Sequence, residues 1–222
     1  YSGIKPRSYQ DIMDVVGPFN ETLFRMLNVK YLIFDQPINM PNYEQLPSTQ
    51  NAFLYKNLNA LPRFYFVDSV VALKPIDILN NIKANSFDPQ QIAFIEPSNA
   101  NILNKIEKPD STTSIKLLNY NDETINLEVT ASGNNFLFLG NTYLPKGWKV
   151  YIDNNKNEIY KTNHGFIGTI IPKGKHIVKF TYAPTSFYIA QYTSLTLSYL
   201  TVLGFIITLI VQYFRKKKQN AA

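Results

Sequence analysis

Trp148 is the residue of this chain whose type and setting most directly suggest ligand binding. It is the only tryptophan in the sequence, and it follows a Pro-Lys-Gly turn at the start of the segment WKVYID. An exposed indole offers a flat apolar face on which a sugar ring can stack. The alternative is core packing, because Trp148 alternates with polar residues and shares one strand face with Val150 and Ile152. Large apolar side chains prefer the core, so packing is the favoured interpretation and sugar stacking the second one.

Arg63 and His164 are two further candidates for ligand binding. Arg63 follows Leu61 and Pro62, and its guanidinium can bind a phosphate or a sugar acid through two parallel hydrogen bonds. A salt bridge or a strand-edge cap is the favoured alternative, since surface arginine pairs are common. His164 lies in the turn KTNHGF and can act as a metal ligand or a general base. Because His176 is the only other histidine and no HxH or HExxH spacing occurs, a polar turn residue is the favoured interpretation.

The composition excludes several kinds of chemistry and leaves others without support. The chain has no cysteine, which excludes disulfides, Cys-ligated zinc and thiol catalysis. No pair of carboxylates is singled out for glycoside hydrolysis, and no GxSxG, phosphate-binding glycine loop or EF-hand pattern occurs. We therefore expect no catalytic residue, no metal site and no cofactor within this chain.

The net charge of +6 is concentrated at the C-terminus. The run RKKK at residues 215–218 supplies four of the six charges, which leaves +2 for the rest of the chain. A nearly neutral body without an aromatic and basic motif of the RRM type is a poor nucleic-acid binder. We therefore expect no nucleic acid among the partners.

A long uncharged segment near the C-terminus predicts a transmembrane helix. Residues 187–214 contain no charged side chain, and Leu195 to Phe214 supply the roughly 20 apolar residues needed to cross a bilayer. Tyrosines suit the two membrane interfaces, and a basic run marks the cytoplasmic side, which places residues 1–185 outside the cytoplasm. The interface and anchor residues are Tyr188, Tyr192, Tyr213, Arg215, Lys216, Lys217 and Lys218.

Hydroxyl side chains follow one face of this helix. Ser194, Ser198 and Thr201 recur at helical spacing, and Thr208 extends the row. Such a face suits packing against other membrane helices. The hydroxyls can equally bond back to their own helix backbone, and the sequence leaves both interpretations open.

The first half of the chain predicts alternating helices and strands. Capping and helical spacing predict helices over SYQDIMDVV, ETLFRMLN and KPIDILNNIKAN, with Asn20 capping the second and Pro75 opening the third. Apolar runs predict strands over KYLIF, AFLYKN, RFYFVDSVVAL and QIAFI, whereas the proline-rich DQPINMPNYEQLPSTQN predicts a loop. This pattern indicates a small α+β subdomain over residues 1–108.

From Ser114 onward the pattern becomes all-β. The residues of INLEVT alternate between apolar and polar, as in a half-buried strand. The strand segments NFLFLGN, WKVYID, NEIYKT, GFIGTII and HIVKFTY follow, separated by turn sequences such as LPKG, NHG and PKGK. The predicted fold class is therefore α+β, with the N-terminal subdomain followed by a jelly-roll-like all-β sandwich over 109–185. A transmembrane helix over 186–214 and a basic tail over 215–222 complete the predicted domains.

An ordered set of short motifs resembles the C-terminal end of the YfhO family of bacterial multi-span membrane proteins. The motifs are YQDIMD, MLNVKYLI, NALPRFYFVDSV, FDPQQIAFIE, YLPKGWKVYIDNN, IPKGKHIVKFTYAP and the final helix. They occur in the order that the family uses and cover nearly the whole chain. One departure is Asp153-Asn154, where relatives often have an Asp-Gly turn; asparagine also tolerates the left-handed backbone angles of such a hairpin.

The resemblance implies a part in cell-envelope glycosylation. The family is similar to the GT-C glycosyltransferases, which move a sugar from a polyprenyl-phosphate carrier to an acceptor outside the cytoplasm. The catalytic carboxylates of those enzymes lie on early loops that this chain does not contain, so no catalytic residue carries over, and whether the chain takes part in catalysis stays open. The implied location is the bacterial inner membrane, within a multi-span protein. The implied partners are the bilayer, other helices of the same protein, a polyprenyl-linked sugar and an envelope glycan acceptor.

Two functions compete at this point. No export signal stands before the predicted outer region, so we expect the chain to be the C-terminal piece of a longer, transferase-like membrane protein. The alternative is a non-catalytic, membrane-anchored sandwich that binds glycan or a partner protein. A soluble hydrolase is disfavoured for want of an acid pair.

Overall fold

A computed structural model describes residues 6–48 and 52–219. The chain divides into two compact units, Tyr1–Tyr182 and Ala183–Ala222. The first unit contains short helices and fourteen described strands, and the second is a single long helix.

The elements of the first unit are short. Its α-helices are α1 (Arg7–Val15), α2 (Glu21–Met26) and α3 (Pro75–Lys83), and a 3₁₀ helix spans Pro97–Lys105. The strands before residue 108 are β1 (Tyr31–Phe34), β2 (Tyr43–Leu46), β3 (Phe53–Asn57), β4 (Phe64–Val67), β5 (Ser69–Ala72) and β6 (Ile92–Ile95). The later strands are β7 (Ser114–Tyr120), β8 (Thr124–Ala131), β9 (Asn135–Thr142), β10 (Trp148–Ile152), β11 (Asn155–Asn157), β12 (Tyr160–Thr162), β13 (Phe166–Ile171) and β14 (Gly174–Tyr182).

The largest sheet has six strands in the order β4-β9-β13-β12-β6-β5. Neighbours are antiparallel except for β5 and β6, which run parallel and are connected through α3. Strands from both sides of residue 108 therefore belong to one sheet. Whether the boundary near residue 108 separates two folding units stays a prediction.

A five-stranded antiparallel sheet, in the order β11-β10-β14-β8-β7, packs against one face of the six-stranded sheet. The two sheets pack together because each sheet has an apolar face. In β8, Ile125, Leu127 and Val129 are fully buried, while the residues between them are half-exposed. The other buried residues between the two sheets are Ala131, Leu137, Leu139, Val150, Ile152, Ile167, Ile171, Val178 and Phe180. The predicted sandwich, and with it the α+β fold class, is confirmed.

The opposite face of the six-stranded sheet is covered by the helices. Phe136 and Phe138 of β9 point to this side, whereas Leu137 and Leu139 of the same strand point into the sandwich. Residues from every helix meet the two phenylalanines or their neighbours, namely Ile12, Leu23, Met26, Ile78, Leu79, Ile82 and Ile102. The first unit therefore has three layers: helices, a six-stranded sheet and a five-stranded sheet.

Asparagine side chains fix α2 against α3. Asn20 caps α2 by accepting a hydrogen bond from the Leu23 amide at 2.9 Å, and its own amide donates to the Ile82 carbonyl at 2.9 Å. Asn85, just after α3, accepts a hydrogen bond from the Thr22 amide at 2.9 Å. Buried polar groups that are satisfied in this way favour a single arrangement of the helices. The prediction that Asn20 caps this helix is confirmed.

A separate three-stranded antiparallel sheet has the order β1-β3-β2. It corrects the prediction of a continuous loop over residues 35–51, because Tyr43–Leu46 pairs with β3. Pro41 and Pro47 flank this strand, so neither removes an amide from its ladder. Residues 49–51 of the predicted loop lie outside the described residues.

Two other predicted strands are divided in the structure. NEIYKT forms β11 and β12, which belong to different sheets, and Glu158 and Ile159 make the crossing between them. RFYFVDSVVAL forms β4 and β5 on either side of Asp68, at opposite edges of the six-stranded sheet. The 3₁₀ helix at Pro97–Lys105 has no counterpart among the predictions.

The second unit is the helix α4 (Thr185–Gln219). Its segment Thr185–Tyr213 is long and apolar enough to cross a membrane, and none of it is buried within the protein. A helix that is apolar on every side needs lipid or other membrane helices around it. The predicted transmembrane helix is confirmed.

The hydroxyls of α4 bond back to their own helix. Thr193, Thr196, Ser198, Thr201 and Thr208 each donate to the carbonyl four residues earlier, at 2.7–2.9 Å. The structure shows back-bonding for these five residues, and packing of this face against other membrane helices stays a prediction. Back-bonding satisfies a hydroxyl without a partner helix, so these residues are compatible with a lipid environment.

Replacing Gly140 with alanine should destabilise the first unit, because the new Cβ would lie 2.5 Å from the carbonyl oxygen of Met26 at the end of α2. A backbone oxygen cannot rotate away, and overpacking of this kind costs about 1–3 kcal/mol. Denaturation of the chain in detergent, followed by Trp148 fluorescence, should show a lower midpoint. Gly204→Ala, whose Cβ would contact nothing, is the control and should leave the midpoint unchanged. An unchanged midpoint for Gly140→Ala would contradict the packing of α2 on β9.

Candidate functional site

Trp148 begins β10 at the end of the sandwich where β14 finishes. It pairs in register with Tyr182, the last residue of β14, and the two ring centroids lie 5.3 Å apart. The preceding turn is closed by the amides of Gly147 and Trp148, which both donate to the Leu144 carbonyl. Glycine is needed at 147, because a Cβ there would lie 2.3 Å from the Tyr182 ring. The turn thus brings Trp148 directly against Tyr182.

Trp148 is half-buried and has two environments. It packs on the sandwich core beside the buried Val150 and Ile152, on the face that the alternation predicted. It also lines an open groove of about 450 Å³, which we call the Trp148 groove. The groove is lined by Asn99, Tyr143, Pro145, Trp148, Lys149, Lys156, Asn157, Glu158, Ile159 and Tyr160. Core packing and ligand stacking are therefore compatible, and a role of Trp148 in ligand binding stays a prediction.

The polar groups of the Trp148 groove are held in fixed orientations. The Tyr160 hydroxyl donates to Glu158 Oε2 at 2.5 Å, and burial, together with the neighbouring Glu158 carboxylate, raises the pKa of this tyrosine well above its usual range. Tyr160 therefore stays a protonated donor at neutral pH. The Asn157 amide donates to the Ile170 carbonyl at 2.9 Å and lies 3.3 Å from Thr169 Oγ1. Oriented amide and carboxylate groups next to an indole are the usual components of a site for an uncharged polar ligand.

A second groove, of about 560 Å³, adjoins the first and shares Lys156, Asn157, Glu158 and Tyr160 with it. Its remaining lining includes a histidine and a carboxylate that the sequence reasoning did not pair.

The pair in the second groove is His176 and Asp153. Their Nδ1 and Oδ2 atoms lie 2.6 Å apart, and Asp153 Oδ1 accepts a hydrogen bond from the Ile177 amide at 2.9 Å. The hydrogen bond with His176, followed by that from Ile177, lowers the pKa of the Asp153 carboxyl. Asp153 and Asn154 both have positive φ, as expected for their hairpin turn. The register of β10 and β14, in which Ile152 stands opposite Val178, brings the two residues together, so no local sequence pattern signalled the pair.

Arg63 has a tyrosine as its partner. Its guanidinium carbon lies 5.0 Å from the centroid of the Tyr120 ring, and its Nη1 donates a hydrogen bond to the Tyr120 hydroxyl. No carboxylate is paired with Arg63 in the part of the chain that the structure describes. A role for Arg63 in binding a phosphate or a sugar acid stays a prediction.

His164 is buried in the turn between β12 and β13. Its φ is positive, at 66°, and its side chain is only 5% exposed. Its Nε2 lies 3.0 Å from Asp11 Oδ2 on α1, and its Nδ1 is buried without a hydrogen-bond partner. Within the described residues, no three His, Asp or Glu side chains come together as metal ligands. His164 therefore connects the turn between β12 and β13 to α1 through its contact with Asp11, and its role in ligand binding stays a prediction.

The three site residues predicted from the sequence do not converge on one place. Trp148 lines the groove beside β10 and β11 of the five-stranded sheet. Arg63 precedes β4, an edge strand of the six-stranded sheet, and His164 is buried beneath α1. The Trp148 groove is therefore the candidate site of the first unit.

The predicted interface residues lie on α4. Tyr188, Tyr192 and Tyr213 are within the membrane-capable segment, and Arg215 and Lys216 follow it on the same helix with exposed side chains. Lys217 and Lys218 continue the helix, but their side chains lie outside the described residues. The order of aromatic residues, apolar segment and basic run is common in membrane helices, and the interface role of these residues stays a prediction.

Comparisons with known proteins agree on one family. The family model described as "Bacterial membrane protein YfhO" matches residues 74–194, which is more than half of the chain. A curated protein of Bacillus subtilis (strain 168), described as "Uncharacterized protein YfhO", is 29% identical over 146 residues. That alignment covers 64% of this chain and 15% of the relative, so the chain spans a small part of the relative's length. No solved structure matches the chain.

Removing the Asp11 carboxylate should change how stability depends on pH. The hydrogen bond with His164 lowers the pKa of Asp11, and Arg7 adds to this effect, while burial opposes it. A carboxyl whose pKa is lowered by folding adds stability that is fully present above its unfolded pKa of about 3.9 and is lost as the pH falls through the folded pKa. Asp11→Asn should therefore be less stable than the parent at pH 7 and lose less stability between about pH 5 and pH 2.

Denaturation midpoints across this pH range measure the effect. The hydrogen bond from Arg7 lowers the pKa of Asp11 less than the one with His164 does. Arg7→Gln should therefore change the loss of stability at low pH less than Asp11→Asn does. Superimposed curves for the parent and Asp11→Asn would contradict the role of the contact between Asp11 and His164.

Proposed function

This chain belongs to the YfhO family of bacterial membrane proteins, and we propose that its first unit is an extracytoplasmic domain that holds a sugar-bearing ligand during cell-envelope glycosylation. In this proposal α4 is one helix of a multi-span protein in the inner membrane. Membrane helices outside this chain transfer the sugar from a polyprenyl-phosphate carrier to an envelope acceptor. The first unit positions one of these two substrates.

The observation that carries the proposal is the place of the Trp148 groove along the chain. Trp148 pairs with Tyr182, and only Ala183 and Pro184 separate Tyr182 from the first residue of α4. Three residue steps span at most about 11 Å. The strand that pairs with Trp148 is therefore followed by the membrane helix after a short stretch of chain, and a lipid-linked sugar is presented at the membrane surface.

The chemistry of the Trp148 groove supports a sugar as the ligand. Trp148 and Tyr143 offer aromatic surface for the C–H face of a pyranose ring. Asn157 and Glu158 offer hydrogen-bonding groups for its hydroxyls, and Lys149 adds a donor. An apolar wall with a few oriented polar groups is the common composition of small-ligand sites.

The charge distribution supports the extracytoplasmic placement. Arg215 and Lys216 follow the membrane-capable segment, and the sequence continues the basic run through Lys217 and Lys218. Basic residues beside a membrane helix favour the cytoplasmic side. The first unit, on the other end of the same helix, is then outside.

Replacing Trp148 with alanine in the full-length protein should reduce envelope glycan modification, because the stacking surface of the groove is lost. A loss of stacking worth about 1.4 kcal/mol corresponds to a reduction on the order of tenfold. Mass spectrometry of envelope polymers measures the modification, and immunoblotting of membranes confirms that the variant is present. Glu158→Gln, which keeps the side-chain shape, should give a smaller reduction in the same assay.

Tyr31→Ala is the matched control, since Tyr31 is an exposed aromatic residue that lines neither groove. It should leave the modification at the parental level. Unchanged modification in Trp148→Ala, with normal protein abundance, would contradict the proposed ligand site.

Sidedness is tested separately with single cysteines. Because this chain has none of its own, Asp122→Cys in the β7–β8 turn and Gln219→Cys at the end of α4 can each be the only thiol of a protein whose other cysteines are replaced. A membrane-impermeant maleimide should label the Asp122→Cys protein in intact cells. It should label the Gln219→Cys protein only after the cells are opened. The reverse pattern would contradict the extracytoplasmic placement.

A further inference from the structure

The outward face of the five-stranded sheet carries five lysines. These are Lys116, Lys149, Lys156, Lys175 and Lys179, which we call the basic face. Successive side chains of a strand point to opposite faces of the sheet. Since Val150 of β10 and Val178 and Phe180 of β14 are fully buried in the sandwich, the lysines that alternate with them point outward. All five point away from the core, and none lies opposite the six-stranded sheet.

The register places the lysines beside one another and around a tyrosine. Lys179 of β14 stands opposite Tyr151 of β10, and Tyr151 stands opposite Lys156 of β11. Lys149 lies one row further along, opposite Thr181. Directly opposite residues on neighbouring strands have Cβ atoms about 4.5–5.5 Å apart. The result is a compact group of three cations around one aromatic ring.

Each carboxylate near the basic face has another partner or lies at the end of the sheet. Glu158 follows β11 and lines the Trp148 groove with Lys149 and Lys156, but its Oε2 accepts a hydrogen bond from Tyr160. Glu128 Oε2 lies 3.1 Å from Lys175 Nζ, and Glu128 stands opposite Lys116. Asp153 is bonded to His176 and to the Ile177 amide.

The β7–β8 turn adds Asp122 and Glu123 at the Tyr182 end. Thr124, the next residue, lies two strands from Lys149, which is a separation of roughly 9–10 Å. Among the described residues, Lys149, Lys156 and Lys179 have no carboxylate within salt-bridge distance. These three charges are available to an external anion.

We propose that the basic face docks onto the anionic phospholipid headgroups of the bilayer that α4 crosses. Lysine side chains are flexible point charges that bind phosphate groups, and each one near an anionic surface adds about a fivefold factor in affinity. β14 carries two of the lysines and continues through Ala183 and Pro184 into α4, so the chain itself brings this strand to the membrane surface. Exposed Ile177, at 45%, and half-exposed Tyr151 give the face apolar and aromatic groups suited to the headgroup boundary.

The two-dimensional spread of the lysines favours a lipid surface over a polymer chain. They occupy four of the five strands, across roughly 19 Å of sheet width. A single extended polyanion follows a line or a groove, whereas a bilayer offers phosphates in every direction of its plane. Lys149 and Lys156 also line the Trp148 groove, but the docking argument uses neither the proposed sugar ligand nor the side of the membrane that the first unit occupies.

The test uses the full chain in nanodiscs of phosphatidylcholine, with or without an equal part of phosphatidylglycerol. A bimane fluorophore on Ile177→Cys reports the distance to the surface through quenching by headgroup-nitroxide lipid, and Leu58→Cys, exposed but outside the basic face, is the reference position. Quenching at 177 should increase with phosphatidylglycerol and fall to the phosphatidylcholine level in 0.5 M salt, because salt screens exposed charges. Quenching at 58 should not increase.

Two triple variants with the same change in net charge make the test specific. Lys149→Gln, Lys156→Gln and Lys179→Gln together should lower the ratio of docked to undocked protein by about a hundredfold, which is the fivefold factor applied three times. Lys56→Gln, Lys74→Gln and Lys83→Gln together remove three exposed lysines from elsewhere and should leave quenching at 177 unchanged.

Three outcomes would overturn the proposal. Equal quenching in the two lipids would show that headgroup charge does not recruit the face. Equal losses in the two triple variants would show a non-specific effect of net charge. If linear polyphosphate shields the fluorophore at 177 from a soluble quencher while phosphatidylglycerol has no effect, the ligand is a polyanionic chain and the lipid proposal is wrong. Because Lys149 and Lys156 also line the Trp148 groove, the triple variant is assayed for docking only. Trp148→Ala, which keeps all five lysines, should retain normal quenching at 177, so failure of the sugar site and failure of docking are distinguished.

Discussion

The architecture of the first unit depends on one strand that has no polar face. In β9, Phe136 and Phe138 alternate with Leu137 and Leu139, and all four are fully buried. Burying each such side chain contributes about 1.5–3 kcal/mol, but only if both faces of the strand are covered. The five-stranded sheet covers the leucines, and the helices cover the phenylalanines. Neither layer can be absent, because its loss would expose half of β9 to water.

The same strand determines how closely its neighbours approach. Gly168 of β13 stands opposite Phe138, and a Cβ at Gly168 would lie 2.3 Å from the ring of Phe136. Two large rings on β9 are thus accommodated by an absent side chain on the adjacent strand. Helix α2 has only six residues, too few to be stable alone, and it is held by the burial of Met26 and the hydrogen bonds of Asn20.

Local patterns predicted most of the elements, because they encode periodicity, capping and turn chemistry. The alternation of β8, the cap at Asn20 and the turn at Asp153-Asn154 are all properties of a few consecutive residues. The contacts that make the sites are of another kind. His164 meets Asp11 across 153 residues, and Trp148 meets Tyr182 through strand pairing that no local pattern specifies.

The division of the six-residue segment NEIYKT between two sheets also shows that a local pattern does not specify strand pairing. The period-2 pattern indicates a strand, and most of the segment is extended, but the pattern cannot show that Asn157 and Tyr160 belong to different sheets. The crossing is fixed by partners from β13, where the Ile170 carbonyl accepts from the Asn157 amide and Thr169 donates to the Glu158 carbonyl. The Trp148 groove is formed at this crossing, so the feature that the sequence could not show is the one that creates the candidate site.

The composition of the Trp148 groove bears on the role in sugar transfer that we propose for the first unit. Among its described lining residues Glu158 is the one carboxylate, and its Oε2 already accepts a hydrogen bond from Tyr160. Carboxylate-assisted cleavage of a glycosidic bond uses two acids about 5–10 Å apart. A single engaged carboxylate beside an indole and an oriented amide is instead suited to holding a sugar in one orientation. The groove lies beside the β10–β14 pair, and β14 is followed directly along the chain by α4, which is the connection on which the proposed presentation of a lipid-linked sugar depends.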